Sequence, residues 1–569
     1  LWNDSPQEIY FSDTGDSNTI SISRSNIQNG LDSIVTNDNG TVTWGDGNID
    51  VDPRFIDEEN DNYHLLASSQ CINAGDPATF DSDGTVADMG AYPYLNSYSG
   101  PTWYITEGGN DTTATGSSDD PFQFIQAGIN FSSNTDSVTV AAGTYVENIN
   151  FRGRNINVAG EARETTIIDG NQNGSVVTFA NGEDETASLS GFTITNGTGL
   201  ISGPGGYMRG GGITVDYNCN PTLTNMIITG NTALGSSGEG GGISLRGNSL
   251  LENLIVSDNH STEAGGVSIQ ISGVTLKNSQ IYNNLCDGGQ AAGLSIGSGA
   301  ENITLINVLI SDNTDLQSSV AGGLVVNTPG IVNIINSTIT GNVGEQGVYI
   351  QGGANLNITN SIIFGNNGNE IVFRPAVGVS PHSYATINYS NIENGLDSIA
   401  TNDNGTVTWG SGNIDSDPAF IDTANGNYHL LASSQLINAG HPDSLDSDST
   451  RADIGAYPYL NSYSGPLWVV EESSGNDTTG TGADDNKFAS IQAAINFASD
   501  DDSVSVWPGT YFENINFRGR NIKVVGYEWN TGGYPVIDGN QNGSVVEFVN
   551  GEDSTTTLSG FTIQNGLDT

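Results

Sequence analysis

The feature that most constrains the fold of this chain is a short pattern that returns six times between residues 225 and 366. In each copy an Asn is followed three residues later by Ile, or by Val in the second copy, and six residues later by another Asn. The copies begin at Asn225, Asn253, Asn278, Asn307, Asn336 and Asn360, in steps of 28, 25, 29, 29 and 24 residues. A period of this length is typical of a solenoid, in which each repeat packs on its neighbours.

The residues within each repeat indicate strands and not helices. The apolar runs are three to six residues long, rich in Ile, Val and Thr, and interrupted by Gly, Asn and Asp. They lack the 3.6-residue periodicity of an amphipathic helix. A second series of small residues, which includes Gly211-Gly212 and Gly241-Gly242, keeps the same period. We therefore predict one coil of short strands per repeat, with Ile, Leu and Val side chains pointing inward.

The Asn and Gly positions have a physical explanation in such coils. Asn tolerates the left-handed backbone conformation of a tight turn, and its amide can bond to the equivalent Asn of the next coil. Glycine pairs are expected to supply positive φ and a close approach between backbones. We therefore interpret both series as structural.

This alternation of Ile-x-x-Asp/Gly-Asn turns with Gly-Gly-Ile/Val/Leu strands resembles the right-handed parallel β-helix of the pectin lyase-like superfamily, of the secreted bacterial tandem-repeat surface type. The resemblance covers nearly the whole chain and implies an all-β fold. It does not select an activity, because that superfamily includes lyases, hydrolases, esterases, adhesins and structural domains.

A much longer repeat overlies the coils. The sequence that starts at Asn26 returns at Asn391, an offset of 391 − 26 = 365 residues. We therefore predict the C-terminal part of one module at 1–98, a complete module at 99–463 and the N-terminal part of a third at 464–569. The chain is interpreted as a fragment of a longer array.

Within the complete module we predict a cap helix at about 120–131, coils at about 138–391 and a closing segment at about 392–460. Asp119-Asp120-Pro121 reads as a helix start, and Phe122, Ile125 and Ile129 have the spacing of one helix face. Such a helix would cover the open end of the solenoid.

The net charge of the chain limits which partners it can bind. The chain has 65 Asp and Glu against 14 Lys and Arg, a formal net charge of −51. This balance excludes nucleic acid and anionic membrane surfaces as partners, and no apolar run is long enough to span a membrane. It attracts cations, so Ca²⁺ is the metal to consider, although no cofactor is required. The best candidate ligands are acidic residues of the two closing segments: Asp81, Asp83, Asp88, Asp446, Asp448 and Asp453.

The candidate groups for chemistry are few. Arg209 lies in a Gly-rich turn at 203–209, and Arg246 follows the next Gly-Gly strand, so both are candidate catalytic bases. Tyr207 and Tyr217 are candidates for stacking on a sugar. A surface role, in which each Arg neutralises neighbouring acids, is the favoured interpretation.

Two functions remain open at this point. The first is an extracellular structural or adhesive tandem-repeat protein that binds a polysaccharide or neighbouring copies head to tail, since duplicated modules multiply a binding surface. The alternative is a Ca²⁺-dependent polysaccharide lyase or hydrolase that acts on acidic glycans. Enzymatic activity is left undecided, with the non-catalytic interpretation preferred.

Overall fold

The computed structural model describes residues 1–5, 7–202, 207–235, 237–317, 320–375, 381–528 and 533–567. These residues form two compact units, unit 1 at 1–274 and unit 2 at 275–569. Each unit consists of coils whose strands pair in parallel with those of the neighbouring coil. The fold is the expected right-handed parallel β-helix.

In unit 1 the coils stack three main parallel sheets, here named A, B and C in the order in which a coil visits them. Sheet A contains Thr102–Ile105, Ser137–Val140, Asn157–Gly160, Ser188–Ser190, Thr222–Thr229 and Leu250–Ser257. Sheet B contains Gly143–Val146, Thr166–Asp169 and Thr193–Thr195, and continues on Thr222–Thr229. Sheet C contains Ile149–Asn150, Val177–Phe179, Ile213–Val215, Ile243–Leu245 and Val267–Ile269.

Unit 2 repeats this plan. Sheet A contains Thr275–Tyr282, Ile303–Ser311, Ile331–Ile335, Asn355–Thr359, Ser383–Asn388 and Gly405–Trp409. Sheet B contains Thr338–Thr340, Ile362–Phe364 and Asn391–Ile392. Sheet C contains Leu294–Ile296, Ala321–Asn327, Gln346–Gln351, Asn369–Phe373 and Ile399–Ala400. After residue 464 three new sheets begin. The first contains Leu467–Val470, Ser503–Val506, Lys523–Gly526 and Thr557–Ser559. The second contains Thr510–Phe512, Val536–Asp538 and Thr562–Gln564, and the third contains Ile515–Asn516 and Val546–Glu547.

The remaining elements are short. Antiparallel hairpins pair Phe55–Asp57 with Asn62–Leu65, Leu200–Ser202 with Tyr207–Arg209, and Phe420–Asp422 with Asn427–Leu430. Small parallel pairs join Ile9–Tyr10 with Ile34–Val35, Asn18–Ile22 with Gly40–Trp44, Thr232–Ala233 with His260–Ser261, and Leu285–Cys286 with Thr314–Asp315. The 3-10 helices are Gly30–Ser33, Glu58–Asn60, Gly395–Ser398 and Thr423–Asn425.

The core is the inside of the coils. In strand Thr222–Thr229 the inward Leu223, Met226 and Ile228 are fully buried, and their neighbours face outward. Each such Leu, Met or Ile contributes roughly 1.5–3 kcal/mol of hydrophobic stabilisation. Repeating this alternation in successive coils buries a column of apolar side chains inside the solenoid.

The Asn series takes the predicted conformation. The first Asn of each repeat has φ between 47° and 55°, at Asn225, Asn253, Asn278, Asn307, Asn336 and Asn360. The last Asn of the repeat is buried and forms the predicted side-chain ladder. In unit 2 the amide of Asn313 donates to Oδ1 of Asn342 at 2.9 Å, and that of Asn342 donates to Oδ1 of Asn366 at 2.8 Å. These bonds confirm the structural interpretation.

The Gly pairs confirm one of their two expected roles. A Cβ on Gly212 would lie 2.7 Å from the carbonyl oxygen of Gly242 in the next coil, so the close approach is real. The expected positive φ is wrong for Gly211-Gly212 and Gly241-Gly242, because it belongs to the residue before each of these two pairs, with φ 48° at Gly210 and 68° at Gly240. The left-handed turn therefore precedes the close contact.

The two cap helices are Ile125–Phe131 and Ile491–Phe497. The first begins five residues after the predicted start, so Asp119-Asp120-Pro121 is not its N-terminus. Asp120 instead closes a turn by accepting from the backbone N–H of Thr115 at 3.0 Å, and Phe122 pairs with Ile105 as an extended residue. The backbone N–H groups of Ile125 and Gln126, in the first turn of the helix, donate to the carboxylate of Glu147, which lies 22 residues after Ile125.

Candidate functional site

Arg246 lies at the end of a sheet C strand and is held on two sides. Its Nη2 is 2.7 Å from Oε2 of Glu239, and its Nη1 donates to the Tyr217 hydroxyl at 2.5 Å. Its guanidinium carbon is 5.4 Å from the centroid of the Tyr217 ring. Burial alone would lower the pKa of Arg246, but the Glu239 carboxylate outweighs it and raises this pKa above its ordinary value. Arg246 is therefore a permanent cation.

Arg209 lies beside the same acidic residue. Its backbone pairs with that of Glu239, and its Nη1 is 4.0 Å from Asp216. Tyr217, the next residue, is 55% exposed, and Tyr207 is 43% exposed. Residues 203–206 of the Gly-rich turn lie outside the described residues. The structure thus brings Arg209, Arg246 and Tyr217 close to Glu239.

This cluster can bind but is poorly suited to remove a proton. A general base must be able to shed its own proton near the working pH, and the ion pair with Glu239 keeps Arg246 charged. The nearby Glu263 is partly buried, and this burial raises its pKa. What the cluster offers a ligand is an exposed ring beside hydrogen-bonding groups, which suits a sugar.

The acidic residues of the closing segments are already occupied by backbone donors. In the first segment Asp83 accepts from the N–H groups of Thr85 and Asn96, at 3.0 and 2.8 Å. Asp88 accepts from those of Asn73 and Tyr94, both at 2.7 Å. Asp81 accepts from the N–H of Asp88 at 2.9 Å.

The second closing segment repeats these bonds. Asp446 accepts from the N–H of Asp453 at 2.8 Å, and Asp448 accepts from that of Asn461 at 2.8 Å. Asp453 accepts from the N–H groups of Asn438 and Tyr459 at 2.6 and 2.7 Å. Burial raises the pKa of Asp88 and of Asp446 to about 6, and that of Asp453 to about 8. In the part of the chain that the structure describes, no three or more His, Cys, Asp or Glu side chains are placed to hold a metal ion together.

The junction between a closing segment and the following cap helix is a feature that the sequence analysis missed. In unit 1 the buried amide of Asn130 donates to the carbonyl oxygens of Ala67 and Ser69, at 3.0 and 2.7 Å. The N–H of Ala67 donates to the carbonyl of Asp111 at 2.8 Å. The hydroxyl of Tyr94 donates to the carbonyl of Ala114 at 2.7 Å. Buried polar groups therefore tie the end of one predicted module to the start of the next.

The junction in unit 2 has the same contacts. The amide of Asn496 donates to Ala432 and Ser434 at 2.9 and 2.7 Å, and the hydroxyl of Tyr459 donates to the carbonyl of Gly480 at 2.7 Å. Each junction is also packed by five aromatic rings, Tyr94, Tyr98, Trp103, Phe122 and Phe131 in unit 1 and Tyr459, Tyr463, Trp468, Phe488 and Phe497 in unit 2. The sequence does contain a signal for this junction, since Asn130 recurs as Asn496 at the equivalent position. The partners of this Asn could not be predicted, because they lie far away in sequence.

Comparison with known proteins gives only a likeness of fold. The sequence matches no protein-family profile and no curated protein. Among solved structures, a rhamnogalacturonan lyase is 13% identical over 63% of this chain and 96% of its own, with a TM-score of 0.30. A mutant pectin methylesterase in complex with a hexasaccharide is 10% identical over 55% of this chain and 90% of its own, with a TM-score of 0.21. Both are β-helix proteins of the pectin lyase-like superfamily.

A separate observation concerns membranes. Within the described ranges, neither α-helix has the length or the apolar character needed to cross a lipid bilayer.

Proposed function

We propose that this chain is an extracellular structural or adhesive tandem-repeat protein, secreted or held at a cell surface. The observation that supports this proposal is the junction, which joins consecutive modules through the same buried Asn and aromatic contacts in both units. A tandem array that presents binding surfaces benefits from firm joints, because linked sites act through effective concentration.

The proposed partner is an extracellular polysaccharide, with neighbouring copies of the chain as a second partner for head-to-tail assembly. The glycan contact is assigned to the exposed rings of Tyr207 and Tyr217, with Arg209 and Arg246 holding Tyr217 and its acidic neighbours in place. An apolar sugar face packs on an aromatic ring, and the adjacent charged groups bind its hydroxyls. This role needs no cofactor, and Ca²⁺ would be an accessory ligand of the closing segments.

The competing proposal is a Ca²⁺-dependent lyase or hydrolase that acts on acidic glycans. The raised pKa of Arg246 counts against its use as a base. The net charge of −51 also repels a polyanionic substrate. For these reasons the enzyme is the second choice.

The test presents the chain, with Ca²⁺, to a panel of neutral and acidic polysaccharides and records retention, new reducing ends and unsaturated uronates. We expect retention without turnover, lost in Tyr217→Ala and kept in the matched control Tyr534→Ala, which removes another exposed ring. Turnover that disappears in Arg246→Ala would overturn the proposal and make the chain an enzyme. Absence of both retention and turnover would overturn the glycan role.

A further inference from the structure

Cations are rare in this chain, yet six of its 14 Lys and Arg residues gather in two clusters, one beside each junction. The cluster in unit 1 contains Arg24, Arg152 and Arg154, and the cluster in unit 2 contains Arg451, Arg518 and Arg520. A chain with a net charge of −51 has abundant carboxylates for pairing. The grouping of cations therefore calls for an explanation.

In unit 1 the three arginines line one cavity of about 580 Å³, together with Asn134, Asn150 and Asn181. A cavity of this volume is large enough for a polyatomic ion and part of a molecule attached to it. Its walls are almost free of acidic groups, with Asp50 as the one carboxylate among the described residues that line it. Cationic and amide donors thus dominate its surface.

Structural bonds use only a small part of the donor capacity of these arginines. Nη1 of Arg152 donates to Oδ1 of Asn130 at 2.6 Å, and Nη1 of Arg154 donates to the carbonyl of Ser132 at 2.5 Å. A guanidinium carries five N–H donors. Nε of Arg154 is buried and has no hydrogen-bond partner among the described residues. Arg152 and Arg154 therefore each use one N–H group to hold the cap helix in place. Their other N–H groups remain available to a ligand.

The charges also lack direct partners. Burial and, to a smaller extent, the neighbouring Arg154 lower the pKa of Arg152 to about 9, against a weak opposing effect of Cys71 and Asp88. Across the described ranges, Arg24, Arg152 and Arg154 form no ion pair, whereas Arg163 and Arg246 each have a carboxylate partner. Burying like charges without a paired counter-charge is costly, and an anion in the cavity would remove that cost.

The cluster in unit 2 keeps three arginines by a compensating exchange. Arg518 and Arg520 correspond to Arg152 and Arg154, but the position of Arg24 is occupied by Tyr389 at the offset of 365. The third cation comes instead from Arg451, which replaces Val86 and lies 5.8 Å from the centroid of the Tyr389 ring. Arg451 is close enough to both Arg518 and Arg520 to lower their pKa values.

The exchange is accommodated by the same backbone feature in both units. Arg24 lies across Gly47 and Tyr389 lies across Gly412, and in each case a Cβ on the glycine would come within 2.4 Å of the side chain above it. The contact with the glycine is therefore kept when Arg becomes Tyr, so this contact does not require the charge. The property kept in both units is the number of cations.

We propose that each cluster is a binding site for a tetrahedral oxyanion, sulfate or phosphate, either as the free ion or as an ester on a larger molecule. Guanidinium groups bind such oxyanions through paired N–H···O bonds, which are stronger than neutral hydrogen bonds. A dianion compensates three cations better than a single carboxylate does. The amides of Asn134, Asn150 and Asn181 supply further donors and acceptors in unit 1.

The test is isothermal titration calorimetry of the full chain with sodium sulfate and with inorganic phosphate at pH 7, at an ionic strength held constant with NaCl. We expect saturable binding at two sites per chain. Arg24→Gln should weaken one site by about tenfold, since it removes one charge-assisted contact. Arg451→Gln should do the same to the other.

The matched control is Arg374→Gln, because exposed Arg374 bonds to Gln351 and lies outside both clusters. The unfolding temperatures of the variants in NaCl alone show whether they fold. Arg24→Lys should bind more tightly than Arg24→Gln, because it keeps the charge. A sulfate monoester of a sugar that competes with inorganic sulfate would assign the site to esters, and failure to compete would assign it to the free ion. Heats that do not saturate, or affinities unchanged in both Arg24→Gln and Arg451→Gln, would overturn the proposal.

Discussion

At the residue scale, the Asn positions show how far local chemistry alone could be predicted. The sequence predicted both the left-handed conformation of Asn307 and the amide ladder of Asn313, because both follow from the residue type at a fixed period. It could not say which Asn would be buried. Only the coil geometry shows that Asn313 lies inside the turn and Asn307 lies on its surface.

This difference predicts unequal costs of mutation. Asn313→Ala should lower the free energy of unfolding by about 1–3 kcal/mol, because buried partners, among them the carbonyl of Ile281, lose their donor. Asn307→Gly keeps the positive φ and removes only a surface bond to Asn278, so its cost should stay below about 1 kcal/mol. Urea unfolding of both variants measures the difference, and equal losses would contradict the role of burial.

The carboxylates that were predicted as metal ligands accept hydrogen bonds from the backbone, which the sequence could not reveal. Their spacing is that of a cation loop, but each carboxylate is turned toward backbone N–H groups of its own segment. Asp453 is the most buried of them, and burial raises its pKa to about 8, with Asp446 and Asp448 adding repulsion.

A pH dependence follows from this burial. An Asp in the unfolded chain has a pKa of about 3.9, so between about pH 4 and pH 8 the folded state holds a proton that the unfolded state has lost. Stability from this group is therefore fully present below about pH 4 and is lost as the pH rises toward 8. Asp453→Asn should reduce the fall in unfolding free energy between about pH 5 and pH 8 by about 1–3 kcal/mol. Exposed Asp443→Asn is the control, and parallel profiles for Asp453→Asn and the wild type would contradict the assignment.

At the scale of elements, the sequence predicted the existence of the cap helix but misplaced its start. Asp119-Asp120-Pro121 has the composition of an N-terminus, yet the helix is capped from a distance by Glu147, and in the second copy by Glu513. A signal that acts across 22 residues is invisible to local rules. The junction contacts are similarly non-local, since Asn496 bonds to residues more than 60 positions away.

The junction predicts a large effect for a small change. Asn496→Ala leaves the buried carbonyls of Ala432 and Ser434 without their donor and should cost about 2–4 kcal/mol, because two such bonds are lost. The loss should appear as earlier protease cleavage within the closing segment at about 392–460. The control is Asn425→Ala, because the amide of Asn425 makes an exposed bond to Asp422. Cleavage at the same rate in both variants would show that the junction contributes little to holding the closing segment in place.

At the scale of the whole molecule, the two sequence periods carry different information. The period of 24 to 29 residues predicted the fold, because every coil repeats the same inward and turn positions. The offset of 365 residues predicted tandem modules, and the junction residues recur at the same spacing, to within one residue. Net charge predicted cation attraction in general, but the placement of six arginines in two clusters depends on packing between distant segments and was not predicted.

The net charge of −51 makes a final prediction about salt. Self-repulsion of the folded chain is screened as the Debye length falls from about 30 Å at 0.01 M to about 3 Å at 1 M salt. The unfolding temperature should therefore rise by ~5 °C between about 0.01 M and 0.5 M NaCl. Calorimetry in MgCl₂ and CaCl₂ at equal ionic strength separates screening from specific binding. Equal curves indicate screening alone, whereas a larger rise in CaCl₂ that is lost in Asp83→Asn would place a specific Ca²⁺ ion at the closing segment.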